Sequence, residues 1–313
     1  MTTLADDPQA TRLLTELEPV VTRELERHIT QARNWYPHEY VPWTEGRTFA
    51  GVLEGGEPWD PSEARFSEAA RAALIVNLLT EDNLPSYHFE IATEFGREGA
   101  WGEWVHRWTA EEGRHGQVIR DYLTVTRSVD PVELEQLRMS HMGEGFTAIH
   151  PGVLGGLAYV SFQELATRVS HRNTGRATGD PIAEQMFARI ALDENLHMVF
   201  YRNMMAAAFE VTRDATMEAV RDVVLDFKMP GYGMPGFQRK AVKIATEGIY
   251  DLRQHKDDVL MPVLRHWKVF EMTNLGPVGE KARDQISQFL EELEASAARF
   301  EEKRDALKAR LNR

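Results

Sequence analysis

Two copies of the pattern Glu-x-x-His stand in acid-rich company, Glu111-Glu112-Gly113-Arg114-His115 and Asp193-Glu194-Asn195-Leu196-His197. A lone glutamate precedes each by nearly the same distance. Glu81 lies 31 residues before Glu112, and Glu164 lies 30 before Glu194. On an α-helix, positions i and i+3 share a face about one turn apart, so the Glu and His of each copy can reach one metal ion. A neighbouring helix with a lone Glu adds a carboxylate, and a second helix pair repeats the arrangement. Glu81, Glu112, His115, Glu164, Glu194 and His197 together match the ligand set of two carboxylate-bridged iron ions inside a four-helix bundle. Four carboxylates balance two ferrous ions, which offsets the cost of burying unpaired charge. Oxygen and imidazole donors suit iron or manganese. A third copy, Glu103-Trp104-Val105-His106, starts nine residues before Glu112. That is about half a turn out of phase, so it is expected to point away from the metal. Ala110, Ile119, Ile190, Ala191 and Leu192 supply the apolar surroundings such buried helices need.

Helices must carry these residues, and the rest of the chain reads as helical. Apolar spacing marks helices near 9–33, 63–96 with an interruption at Pro85, 99–127, 153–173, 180–209, 214–227 and 236–270. Asp130-Pro131 starts a short piece, and Asp214 is the expected cap of the helix that follows it. An aromatic, Pro-rich segment runs from Trp35-Tyr36-Pro37 to Trp43, and residues 228–235 form a tight Gly/Pro loop. The tail, residues 278–313, is dense in charge, with an apolar stripe at Ile286, Phe289, Leu290, Leu293, Ala297, Phe300, Leu307 and Leu311. That stripe fits packing on the body, packing on a partner, or a solvated helix. No strand pattern or short-period repeat stands out. The expectation is one all-α domain over residues 1–313: a ferritin-like four-helix di-iron bundle at about 60–210 with additional flanking helices.

Composition narrows the function. A chain of 313 residues with a net charge of −13 is a poor nucleic-acid binder, since phosphate contacts need clustered Lys and Arg. It has no cysteine, which excludes disulfides, iron–sulfur ligation and thiolate chemistry by this chain. No stretch approaches the ~20 apolar residues of a transmembrane span. The start, MTTLADDPQA, is polar and acidic, so no secretory signal is expected and a cytoplasmic location is.

The segments around the six candidate ligands are similar to those of the soluble acyl-[acyl-carrier-protein] desaturases. Thr80-Glu81-Asp82-Asn83-Leu84-Pro85-Ser86-Tyr87 resembles that family's TEExLPTY segment. Trp108-Thr109-Ala110-Glu111-Glu112-Gly113-Arg114-His115-Gly116 resembles WTAEENRHG, apart from Gly113. Residues 161–167, SFQELAT, and 170–174, SHRNT, resemble SFQERAT and SHGNT. Residues 191–197 keep the metal-relevant positions of ADEKRH, and the similarity runs from about residue 30 to 275.

The resemblance implies two irons per chain, reduced by ferredoxin, that activate dioxygen. They place a cis double bond in a saturated fatty acyl chain carried on acyl-carrier protein. It also implies a homodimer. By the same resemblance Thr167 is a hydroxyl near the dioxygen site, Asp193 a carboxylate holding a ligand histidine, and Trp35 the start of an electron path through His115 and Asp193. Thr167 as a helix residue bonded back to a carbonyl, and Trp35 as plain core, stay open. Gly156 and Leu157 match positions lining the family's acyl channel.

Three departures stand out. Gly113 replaces an asparagine, either relieving crowding or softening the site. Glu90 and Glu94, expected on the helix of Glu81, stand where plant-type members have apolar channel residues; they either point into the channel and alter substrate length or activity, or lie on an exposed face without consequence, and the Glu81–Glu112 segment is shorter. Lys228, Arg239, Lys240 and Lys243 form a basic group that can receive the acidic carrier or stand as a solvated face. Other readings of the di-iron site are an oxidase or N-oxygenase acting on a different substrate, and a desaturase-like binding protein without turnover. Iron storage fits least, because storage cages use chains of roughly half this length.

Overall fold

The computed structural model describes residues 7–311. The first six residues and the Leu311 side chain, last in the tail's apolar stripe, lie outside the described residues. The element order is α1 Pro8–Gln31, α2 Glu68–Asp82, α3 Leu84–Phe95, α4 Gly99–Val125, α5 Pro131–Glu144, α6 Val153–Thr178, α7 Pro181–Val211, α8 Arg213–Leu225, α9 Phe237–Thr246, α10 Leu252–Gln254, α11 Met261–His266 and α12 Pro277–Leu311. Among the described residues there is no strand, only one isolated bridge between Phe49 and Glu57. The all-α, ferritin-like bundle is therefore the fold. No described helix is long and apolar enough to cross a membrane.

Four helices make the core. α6 packs along α7, α2 against α4 and α6, and α4 against α7. α1 closes the outside of α4 and α7, and α9 lies over α2. Local chemistry sets the ends. Ser67 caps α2 through the Ala70 N–H, at 3.2 Å. The Asp180 carboxylate accepts from the Ile182 and Ala183 amides at the start of α7, where Pro181 occupies the first turn. Gly179, left-handed at φ 67°, stops α6.

Several expectations change. The 63–96 segment is two helices, broken at Asn83 with Pro85 in the first turn of α3. Proline fits there because first-turn amides have no intrahelical partner. The 236–270 segment is also broken. Gly248, at φ 73°, ends the first piece, and a π-turn at His255–Leu260 separates α10 from α11. Asp214 does not cap α8; Thr212 holds that position, and the Asp214 carboxylate accepts the Gly276 amide at 2.9 Å, at the entry to α12. Of the apolar residues expected around the ligands, Ile119, Ile190 and Ala191 are buried, but Ala110 and Leu192 face outward.

The charged tail packs on the body. Ala282, Ile286, Leu290, Leu293 and Ala297 are buried, and α12 lies against α8 and α10. Arg304 pairs with Asp251 at 3.1 Å and Lys256 with Glu294 at 2.8 Å along its rim. A partly exposed pair such as Lys256–Glu294 adds little, so the apolar stripe does most to hold the helix. Ile286→Ala is expected to cost about 2–5 kcal/mol, because Ile286 is fully buried. Leu307→Ala, at a side chain 49% exposed, should stay within about 0.5 kcal/mol. Urea titrations of the two variants check the contrast.

Candidate metal centre

All six expected ligands converge. Glu81 comes from the last turn of α2, Glu112 and His115 from α4, Glu164 from α6, and Glu194 and His197 from α7. They form two overlapping groups that could each hold a metal ion: Glu81, Glu112, His115 and Glu194, and Glu112, Glu164, Glu194 and His197. Glu112 and Glu194 belong to both, the positions bridging carboxylates take. Within each group one atom per residue lies within 4.8 Å of the others. Both histidines turn Nδ1 inward: His115 Nδ1 is 3.3 Å from Glu112 and 3.4 Å from Glu194, and His197 Nδ1 is 3.6 Å from Glu164.

The donor set fits a pair of metal ions. His115 Nδ1, Glu164 Oε2 and Glu194 Oε1 are buried without a hydrogen-bond partner, and His197 Nδ1 and Glu112 Oε1, 2.7 Å apart, have no other partner than each other. Burial and the charges of Glu112 and Glu194 push Glu164 well above the ordinary carboxylate range. Glu112 is pushed up by burial and by Glu194. Cations answer both problems at once. The third Glu-x-x-His copy takes no part, since Glu103 and His106 are exposed.

An outer layer holds the ligands in a crossed pattern. Asp193, just before Glu194 on α7, lies 3.5 Å from His115 Nε2 on α4. Glu111, just before Glu112 on α4, lies 2.9 Å from His197 Nε2 on α7. Each acid therefore faces the other helix's histidine from behind, which leaves Nδ1 free to face inward. Burial opposes ionisation of Asp193, but His115, His197 and Arg189 hold it below the usual range. Trp35 is buried, donates Nε1–H to Asp193 at 2.7 Å and stacks on His115 at 6.3 Å. Opposite, His28 Nε2 meets Glu111 at 2.9 Å, and Arg107 donates to Glu111 at 2.6 Å. Thr167 donates to Glu194 Oε2 at 2.7 Å and also lies 3.0 Å from its own helix's Glu164 carbonyl, so it reaches the donor cluster as well as the backbone.

Glu111, His28, Trp108 and His171 were not among the expected site residues. Trp108 donates to Glu164 at 3.0 Å, and His171 Nε2 lies 2.9 Å from Glu81. One signal was available for Glu111, the acid that precedes the ligand glutamate in both copies. Gly116 has a geometric reason: a Cβ there would lie 3.3 Å from Asp82 and 3.5 Å from the Glu81 Cβ, so its absence lets α2 bring Glu81 close. Gly113 relieves no crowding, since an added Cβ would meet only Leu84 at 3.9 Å.

Two cavities reach the cluster and share Thr80 and Glu81. The inner one runs between α3 and α6, past Leu84, Tyr87, Ile91 and Tyr159 to Glu90, Glu94 and Gly156. The outer one lies under α9, whose Phe237, Ala241 and Ile244 roof it with Tyr250. Gly156 lines the inner cavity as expected, but Leu157 does not. One residue further on is ~100° around the helix, and Leu157 is packed in the core. Glu90 and Glu94 belong to α3, not to the helix of Glu81, and both line the cavity.

The chain resembles known proteins over most of its length. A family model described as fatty acid desaturase matches residues 9–312. DesA1 of Mycobacterium tuberculosis, named as an acyl-[acyl-carrier-protein] desaturase, is 49% identical over 298 residues, covering 93% of this chain and 88% of the relative. A chloroplastic palmitoyl-[acyl-carrier-protein] 4-desaturase 3 of Ophrys sphegodes is 29% identical, covering 89% of this chain and 74% of the relative. The X-ray structure of DesA2 from Mycobacterium tuberculosis H37Rv superposes with a TM-score of 0.71 at 30% identity, covering 87% of this chain and 99% of that one.

The Glu94 carboxyl gives the site a pH signature. Burial raises it from 4.5 to about 7, against the Gly152 amide, which lowers it. A carboxyl raised in the folded state contributes stability that is complete below its unfolded pKa and is lost as pH rises through the folded one. The wild type should therefore lose stability relative to Glu94→Gln between pH 4.5 and 7, by at most about 3 kcal/mol. Urea midpoints of the two proteins at pH 5 and pH 8 check the sign.

Proposed function

The chain belongs to the fatty acid desaturase family, among its acyl-[acyl-carrier-protein] members, and from that premise we propose that it is an oxygen-dependent, di-iron desaturase of carrier-bound acyl chains. The observation that carries the reading is that two apolar cavities meet at Glu81, beside six buried metal-type donors. An acyl chain threaded through both would lay its middle carbons, not its ends, against the cluster.

On this proposal Glu81, Glu112, His115, Glu164, Glu194 and His197 hold two iron ions. Bound iron supplies the activation of dioxygen, with two electrons from ferredoxin, that removing two hydrogens from adjacent methylenes requires, and a cis double bond and water result. The chain's own residues do the rest. Tyr87, Ile91 and Tyr159 fix the acyl chain in a dry slot and exclude water. Asp193 and Glu111 keep the two histidines in the tautomer that leaves Nδ1 free to bind. Thr167 offers a hydroxyl on Glu194 from which a proton can move. Trp35, in contact with both Asp193 and His115, starts the electron path that runs through them to the cluster.

α9 turns Phe237, Ala241 and Ile244 into the outer cavity and carries exposed Arg239 and Lys243 on its other side. That basic rim suits an acidic carrier at the cavity mouth. Lys243 is already paired with Glu68 at 2.7 Å, and Lys228 with Asp226 at 3.3 Å. The homodimer and a cytoplasmic setting belong to the same proposal.

The test is to load the protein with iron and supply saturated acyl-carrier proteins, ferredoxin, its reductase, NADPH and oxygen. Mass spectrometry should find loss of two hydrogens. Glu112→Ala should lose the second iron and fall to background product. No product on any chain with two irons bound would sink the reading. In Trp35→Phe, iron content should be unchanged while reduction of the centre slows roughly 10–100-fold. Stopped-flow absorbance reads that rate, and an unchanged rate would remove Trp35 from the path.

A further inference from the structure

Helical spacing decides which residues of α3 line the inner cavity. Leu84, Tyr87 and Ile91 fall on one stripe, and the next position of that stripe is Glu94. An apolar side chain there would simply extend the wall. A carboxyl stands there instead, and two features hold it in place. Its Oε1 accepts the Gly152 amide at 2.8 Å, at the start of α6, a helix with no side-chain cap of its own. Its Oε2 lies over Gly156, where any Cβ would collide with it, so the missing side chain at 156 makes the room. Among the described residues no hydrogen-bond donor reaches Oε2. Ten residues of α3, about 15 Å of helix axis, separate Glu94 from Leu84 beside the metal cluster. The far end of the slot is therefore a fixed, half-satisfied hydrogen-bond acceptor.

We propose that Glu94 is a specificity-determining residue that receives a hydroxyl at the far end of the acyl chain, in preference to a plain methyl end. This deepens the desaturase reading and rests on it. Glu94 is half-buried, so a methyl pressed on Oε2 would strip water from an acceptor and leave it without a partner, whereas a hydroxyl donates to it. Sites built around a buried polar group discriminate strongly against the analogue that lacks the matching group. A shorter methyl-ended chain that stops before Glu94 avoids the penalty. Selectivity therefore appears only at the chain length that reaches the end wall. Burial and the neighbouring Glu90 both raise this carboxyl, and a hydroxyl matches either form, donating to Oε2 when it is charged and accepting from it when it is protonated.

The competing role, a cap that only ties α3 to α6, predicts a loss of stability on substitution and no selectivity for the chain's tail. The experiment measures binding of matched acyl-carrier proteins, ω-hydroxy against methyl-ended, over a series of chain lengths. Calorimetry on the iron-loaded protein reads binding, and mass spectrometry reads the products. At the longest bound length the hydroxylated chain should bind roughly tenfold tighter or better. Glu94→Met should abolish that preference. Gly156→Ala, which displaces the carboxyl without removing it, should weaken it and serves as the second variant if Glu94→Met does not fold. Equal binding by the wild type, or a preference that survives Glu94→Met, overturns the proposal. If methyl-ended chains are bound and desaturated equally well, the desaturase reading stands and this inference falls. If neither series binds a protein with two irons, both fall.

Discussion

Four carboxylates buried within reach of one another are the constraint around which this molecule is built. Like charges in a low-dielectric interior cannot all ionise unless cations sit among them. Glu164 and Glu112, pushed up by burial and by neighbouring carboxylates, show that pressure directly. The helices answer with donors aimed at single oxygens: Thr167 at Glu194, Trp108 at Glu164, and His171 at Glu81. Each contact satisfies one lone pair and leaves another facing inward. Such an arrangement orients carboxylates for metal without filling their coordination positions.

The second constraint is rotational. A histidine ring presents one nitrogen to a metal only if the other is held. Here each hold comes from the opposite helix, since Asp193 on α7 faces His115 and Glu111 on α4 faces His197. The two motifs are therefore not independent half-sites; each needs the other's acid at the position before its glutamate. The layer beyond is asymmetric. Behind Asp193 stands Trp35, from the segment that also carries exposed Tyr36 and Trp43. Behind Glu111 stands His28, fully enclosed on α1.

What the sequence shows and what it hides divide along physical lines. The clustering of the six donors is legible because i, i+3 spacing on a helix is a local rule, and four such helices have one compact way to bring their marked faces together. Partners such as His28 and His171 are not legible, because their contacts with Glu111 and Glu81 join residues more than eighty positions apart. Periodicity also overstates continuity. A stripe of apolar residues runs on through 236–270, yet Gly248 and a π-turn break the helix there without disturbing the stripe. Asp214 is misread for a related reason, because the sequence cannot say that Gly276 lies nearer to its carboxylate than its own helix start does. The tail's packing is settled by Ile286 and Ala297, which spacing marks as apolar but cannot pair with a partner.

The break at Asn83 links the metal cluster to the cavity. If α2 continued straight, the residues after Glu81 would follow the bundle axis and the slot between α3 and α6 would not exist. Pro85 cannot continue α2, because it has no amide to donate and its ring would clash with the carbonyl four residues back. The chain therefore restarts as α3 at Leu84, one turn from a ligand, and runs off along α6 with Tyr87, Ile91 and Glu94 facing Tyr159 and Gly156. Glu81 and the cavity wall are thus set by the same few residues. A change at this joint moves Glu81 and the cavity wall together, which makes the 83–85 corner the place where the geometry of the donor cluster and the course of the slot are coupled.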